Sequence, residues 1–206
     1  GNKGVVTGNP VRYEFFEIEP KVRGEVFSIL IFGGSQGARA INNAMADALE
    51  HLAEYKGKIS VVHQTGEADF EKIREIYNRS AFADSDIRPF ISDMCAEFAN
   101  ADLVISRAGA TTCAELAAAG KASIMIPLPT AADDHQRKNA EAMQKAGATI
   151  MLLQQNLDGE RLASEIGRLM ASPETISQME RSARALARSD AAERTVDLIE
   201  ELQKNV

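Results

Sequence analysis

Three stretches concentrate residues suited to holding an anionic ligand rich in hydroxyls. The first is Gly33-Gly34-Ser35-Gln36-Gly37-Ala38. Glycines allow positive φ and let a ligand approach backbone N–H groups closely, and a helix start attracts anions. The same residues also suit a tight turn that needs small side chains for packing alone. The stretch is neither Gly-x-Gly-x-x-Gly nor a P-loop, because no Gly-Lys-Ser/Thr follows. A dinucleotide site would also want an acid after the second strand, where His63-Gln64-Thr65 offers none.

The second stretch is Ser106-Arg107-Ala108-Gly109-Ala110-Thr111-Thr112. Small residues, hydroxyls and an arginine at a helix start can hold a diphosphate. Glu115 stands three residues beyond Thr112, a capping-box spacing. Its carboxylate equally suits accepting two hydrogen bonds from ribose hydroxyls, and spacing alone leaves both roles open. The third stretch runs from Asp133 to Asn139. Gln136 and Asn139 share a helix face there, and amides both donate to and accept from sugar hydroxyls. A solvated first helical turn would also explain them, and is the commoner reason for a lone Gln-x-x-Asn.

His51 and His135 read as surface or capping histidines, while His63 ends a strand and could approach the site. Cys95 and Cys113 read as small helix-packing residues. No nucleophile–histidine–acid set, paired general acid and base, or Cys/His metal spacing stands out.

The elements that must position these stretches follow from apolar periodicity. Continuous or β-branched runs predict strands at Phe27–Phe32, Ile59–His63, Ile87–Phe90, Leu103–Ser106, Ala122–Ile126 and Thr149–Leu153. Helical spacing predicts helices from Gln36 to about Glu54, over Ala68–Tyr77, through about Asn100 with Ser92 or Asp93 as cap, and over Thr112–Ala119 and Asp134–Ala146. Gly120 and Gly147 stop the last two. Three helices without intervening strands follow, over Asp158–Met170, Pro173–Ala187 and Ala191–Gln203.

Strand–helix alternation predicts an α/β fold, a six-stranded parallel sheet with helices on both faces, in one domain over residues 1–206. Ligands then bind beyond the carboxyl ends of the strands, where all three stretches fall.

The 206 residues are 45% hydrophobic and 26% charged, which excludes wholesale disorder. The formal net charge of −7 argues against a nucleic-acid binder held by a general basic field. Two cysteines make no disulfide framework and suit a reducing cytosol. No apolar stretch approaches the roughly 20 residues that span a bilayer, and no signal peptide is evident. The start at Gly1 rather than Met reads as a cut edge.

Taken in order, Gly8-Asn9-Pro10-Val11-Arg12, Gly33–Asn42, Ser106–Thr112 and Ala131–Ala140 resemble the MurG family over nearly the whole chain. Ala122, where the family usually has proline, and Cys113, where an aliphatic residue is expected, depart from its pattern without adding a polar group to the site. These bacterial transferases add N-acetylglucosamine to undecaprenyl-diphospho-N-acetylmuramoyl-pentapeptide, turning lipid I into lipid II in peptidoglycan synthesis. The resemblance implies a Rossmann-like, donor-binding carboxyl-terminal half of a two-domain GT-B enzyme. The acceptor site, the catalytic base and the membrane-facing patch would belong to an amino-terminal half. It further implies UDP-N-acetylglucosamine as donor, no metal or other cofactor, and a peripheral place on the cytoplasmic face of the inner membrane.

Carried over by motif, the Phe90-Ile91 backbone would meet uracil, with Arg12 supporting the nucleotide pocket. Glu115 would hold the ribose, and Gln136 and Asn139 would read the sugar. Gly34, Ser35, Gln36, Gly37 and Arg107, with the Ala110-Thr111-Thr112 backbone, would surround the diphosphate. Other GT-B enzymes on the same donor, such as another glycosyltransferase or a UDP-N-acetylglucosamine 2-epimerase, and a non-catalytic nucleotide-sugar-binding subunit remain as alternatives.

Overall fold

A computed structural model describes residues 4–34 and 37–204. Its strands are β1 (Phe27–Phe32), β2 (Ile59–Gln64), β3 (Asp86–Arg88), β4 (Leu103–Ser106), β5 (Ser123–Met125) and β6 (Thr149–Met151). Its helices are α1 (Arg39–His51), α2 (Phe70–Asn78), α3 (Met94–Asn100), α4 (Ala110–Ala119), α5 (His135–Lys145), α6 (Gly159–Met170), α7 (Pro173–Arg184) and α8 (Ala191–Lys204). All strand pairings are parallel, in the order β3-β2-β1-β4-β5-β6.

The period of two along each strand divides one sheet between two cores. Ile29 and Ile31 of β1, Leu103 and Ile105 of β4, and Ile124 of β5 enter a cluster with Ile41, Met45 and Leu49 of α1 and Ile73 of α2. The alternate residues Leu30, Phe32, Val104 and Met125 enter a second cluster with Phe98, Leu116 and Ala140 of α3, α4 and α5. Each fully buried side chain of this size contributes about 1.5–3 kcal/mol relative to exposure. Leu162 and Ile166 of α6 join the α1 side.

The predicted elements all form, with shifted ends. β3 stops at Arg88 rather than Phe90, because Pro89 cannot continue the ladder. β5 and β6 are each shorter than their apolar runs. α1 begins at Arg39 rather than Gln36, which lies outside the described residues. α3 is capped by Asp93, whose carboxylate accepts from the Ala96 N–H. α4 begins at Ala110 rather than Thr112 and ends on left-handed Gly120. Among the described residues no helix is long and apolar enough to cross a membrane.

Candidate functional site

The strand order reverses between β1 and β4, which is where an open parallel sheet leaves a ligand crevice. Phe32 and Ser106 are paired across these strands, so the loops Gly33–Ala38 and Arg107–Gly109 leave the sheet side by side. Each leads into a helix without a side-chain cap, with Ala38 the N-cap residue of α1 and Gly109 that of α4. Two sets of first-turn N–H groups, without a side-chain cap among the described residues, therefore open on one crevice, with the positive ends of two helix dipoles behind them.

The glycines of this loop differ in what surrounds them. A Cβ on Gly33 would stand 2.1 Å from the Ala38 Cβ, and one on Gly37 2.0 Å from the Thr65 carbonyl oxygen. These two glycines are required by packing. Gly34 has φ near +99° with open space where a Cβ would be, which leaves its backbone approachable. Ser35 and Gln36, both expected at the diphosphate, lie outside the described residues.

On α4 the capping box that the Thr112–Glu115 spacing allowed is not formed. Gly109 takes the N-cap place, Thr112 sits within the first turn, and Glu115 lies beyond it. Glu115 follows Thr111 by four residues and Thr112 by three, so the three share a face, with side chains leaning towards the helix start. Thr111 is exposed and Thr112 half-buried, and neither hydroxyl has a partner among the described residues. The Glu115 carboxylate is half-buried and makes no hydrogen bond or ion pair among the described residues. Burial raises its pKa, partly offset by the nearby Arg12 guanidinium. Arg12 itself is exposed and stacks over the Phe15 ring at 5.2 Å. Ser106 Oγ, at the end of β4, is buried and unpartnered among the described residues.

Other expected residues are already partly engaged. Arg107 Nη1 donates to the carbonyls of Ile126 (3.0 Å) and Pro127 (3.3 Å), and Nη2 to Gln154 Oε1 (2.8 Å). It braces the loop after β5, and its described hydrogen bonds all go to protein groups. Gln136 and Asn139 differ from a solvated turn. Gln136 Oε1 accepts from the Leu128 N–H at 3.0 Å, and Asn139 Nδ2 donates to the Ala108 carbonyl at 3.0 Å. The turn before them holds Asp133 and Asp134 in the left-handed region. One amide half of each side chain is thus spent on a loop, leaving the Gln136 NH2 and the Asn139 carbonyl oxygen for a ligand.

Gln64 is the residue that sequence reasoning missed. At the end of β2 and only 2% exposed, it donates from Nε2 to the Gly34 carbonyl (3.0 Å) and accepts at Oε1 from the Ile91 N–H (2.8 Å). That N–H is thereby committed to the protein. Phe90 stays 60% exposed at the rim.

His63 faces away from the crevice, fully buried. Asn42 Nδ2 donates to the Thr65 carbonyl and to Asp69, so Asn42 Oδ1 accepts from His63 Nε2–H, and Tyr77 donates to His63 Nδ1. Burial pushes the His63 pKa down to about 3, so the ring is neutral. His51 is exposed, as is His135, which donates to the Ala132 carbonyl. Cys95 and Cys113 pack beside the α3–α5 core.

The Glycosyltransferase family 28 C-terminal domain matches residues 28–195, most of the chain. The chain belongs to this family. The chain is 50% identical over 194 residues to a protein of Citrifermentans bemidjiense named UDP-N-acetylglucosamine–N-acetylmuramyl-(pentapeptide) pyrophosphoryl-undecaprenol N-acetylglucosamine transferase. That match covers 93% of this chain and 54% of the relative. A protein of the same name from Geobacter sp. strain M21 is also 50% identical, over 93% of this chain and 52% of its own length. The crystal structure of Acinetobacter baumannii MurG superposes with a TM-score of 0.76 at 35% identity, over 92% of this chain and 52% of that one. A Listeria monocytogenes putative UDP-N-acetylglucosamine 2-epimerase shares the fold at a TM-score of 0.68 and 15% identity, over 97% of this chain and 54% of that one. The resemblance to MurG and the Rossmann-like half of a GT-B architecture are thus borne out. The chain spans about half the length of the curated relatives it matches.

Proposed function

We propose that this chain is the donor-binding half of an inverting glycosyltransferase. In that reaction N-acetylglucosamine passes from UDP-N-acetylglucosamine to the C4 hydroxyl of the muramoyl sugar of lipid I, giving lipid II and UDP. The observation that carries the reading is the pair of helix starts without a side-chain cap at the β1–β4 reversal, with the Glu115 carboxylate, unpartnered among the described residues, just beyond the first turn of α4. Few ligands want both features as well as a nucleoside diphosphate does.

In this reading the Ile91 carbonyl accepts from uracil N3–H and Glu115 accepts from the ribose hydroxyls, with Arg12 supporting the nucleotide pocket. Gly34, Ser35, Gln36, Gly37 and the Ala110-Thr111-Thr112 backbone hold the diphosphate. The spare halves of Gln136 and Asn139 read the sugar. The acceptor oxygen attacks C1, the C1–O bond to the β-phosphate breaks, and the departing electron pair rests on the diphosphate. Its growing charge is met by preorganised N–H donors and helix dipoles rather than by a protein nucleophile. The lipid acceptor, the base and the peripheral contact with the cytoplasmic face of the membrane are assigned to the other half of the relatives' length.

Calorimetric titration of the chain with UDP and UDP-N-acetylglucosamine tests the reading. Both are expected to bind weakly, because a GT-B donor is enclosed between two domains. No transfer to a lipid I analogue is expected from the chain alone. Absence of UDP binding would overturn the donor assignment, and turnover by the isolated chain would overturn the half-site assignment. A full-length protein that epimerises the donor without an acceptor would favour the 2-epimerase alternative.

A further inference from the structure

We infer that Gln64 is a positioning residue that couples the base-binding segment to the diphosphate loop, so that neither part of a nucleoside diphosphate is gripped independently. The inference rests on the donor reading above and extends it to a residue outside the expected contacts.

The sheet order provides the geometry. β2 lies between β1 and β3, with Gln64 in register with Phe32 on one side and Arg88 on the other. The chain leaving β1 becomes the glycine loop, and the chain leaving β3 becomes the Phe90-Ile91 segment. One planar amide spans both exits, donating to the Gly34 carbonyl at 3.0 Å and accepting from the Ile91 N–H at 2.8 Å. Glutamine matches this demand because it donates at one end and accepts at the other. Buried at 2% exposure, the bridge has little water to replace it if it breaks. Gly34 is also the left-handed, unfilled position of the loop, and its carbonyl accepts from the Gly37 N–H at 2.9 Å as well, so the Gln64 amide ties onto the turn that closes the loop. The amide that shares this carbonyl with Gly37 also holds the segment assigned to uracil.

Replacing Gln64 with leucine keeps the volume and removes both bonds. Replacing it with glutamate keeps the acceptor for Ile91 but sets a carboxylate oxygen against the Gly34 carbonyl. Protonation would restore a donor, and a carboxyl buried there titrates above its ordinary range.

The experiment titrates wild type, Gln64→Leu and Gln64→Glu with UDP and with uridine, between about pH 8 and about pH 5.5. Folding is followed by circular dichroism and melting. At the higher pH both variants are expected to lose at least about tenfold in UDP affinity. The UDP-to-uridine affinity ratio should also fall, because uridine asks nothing of the glycine loop. Relative to wild type at the same pH, Gln64→Glu alone should regain UDP affinity on acidification. A folded Gln64→Glu with wild-type UDP affinity, or with equal losses for UDP and uridine at every pH, would overturn the coupling and leave Gln64 a structural staple. If Gln64→Leu does not fold, the Gln64→Glu comparison decides alone. Failure of wild type to bind UDP would overturn the donor reading and this inference with it.

Discussion

Glu115 separates ligand binding from fold stability more sharply than any other site residue. Its carboxylate is half-buried, meets no donor among the described residues, and lies on the α4 face that carries Thr111 and Thr112. Two ribose hydroxyls donating to it would form charge-assisted hydrogen bonds, for which about 1.5–3 kcal/mol is the usual net worth. Glu115→Ala should therefore weaken UDP binding by about 10–150-fold. Stability should respond in the opposite sense, or not at all. Gly109 holds the N-cap place, so the roughly 1 kcal/mol loss of a removed cap is not expected.

The pH dependence follows from the raised carboxyl pKa. Folding lifts it above the ordinary 4.5, so between the two values the folded chain binds more protons than the unfolded one. Stability then falls as pH rises through that window, and Glu115→Gln removes the fall. UDP favours the ionised form, so its affinity should drop as pH falls through the same window. The terminal phosphate of UDP titrates near about pH 6, so each variant is compared with wild type at the same pH. Calorimetry gives the affinities and thermal melts the stabilities. A folded Glu115→Ala with unchanged UDP affinity refutes the ribose role. A lower melting temperature with no loss of affinity would return Glu115 to a structural part.

Gln136→Ala should weaken UDP-N-acetylglucosamine, or relax its preference over the C4 epimer, while UDP affinity stays nearly unchanged. Equal losses in titrations with all three ligands would mean that its bond to the Leu128 N–H is what matters. Gly37→Ala forces φ near +75° on a residue with a Cβ and drives that atom to 2.0 Å from the Thr65 carbonyl. The left-handed backbone alone costs about 1–3 kcal/mol, so melting temperature and UDP affinity should fall together, and an unchanged melt would refute the clash. His63, neutral when folded, should make stability fall as pH drops below its ordinary 6.5 towards about 3, since the unfolded ring takes up its proton first. Urea unfolding across that range checks the sign, and a His63→Leu chain should lose this share of the acid sensitivity.

What the sequence showed and what it hid divide along local and non-local lines. The run Phe27–Phe32 ends at two glycines, and its alternate residues serve opposite cores, so both the strand and its burial on two faces could be read directly. Element ends were misread where two local signals competed. The spacing from Thr112 to Glu115 suits a capping box, yet Gly109 with extended φ/ψ takes the N-cap place, which moves Glu115 out of such a box. Charge and loop position made Arg107 a candidate from the sequence, but its partners Ile126, Pro127 and Gln154 come from distant strand exits that no local pattern shows. Gln64 carries no motif, and its meaning arises only once β2 is known to lie between β1 and β3. Sequence spacing therefore identifies which loops can hold a diphosphate, while sheet order decides which side chains tie those loops together. A substitution at Gln64 should consequently disturb two segments, one 30 residues before it and the other 27 after, that no periodicity connects.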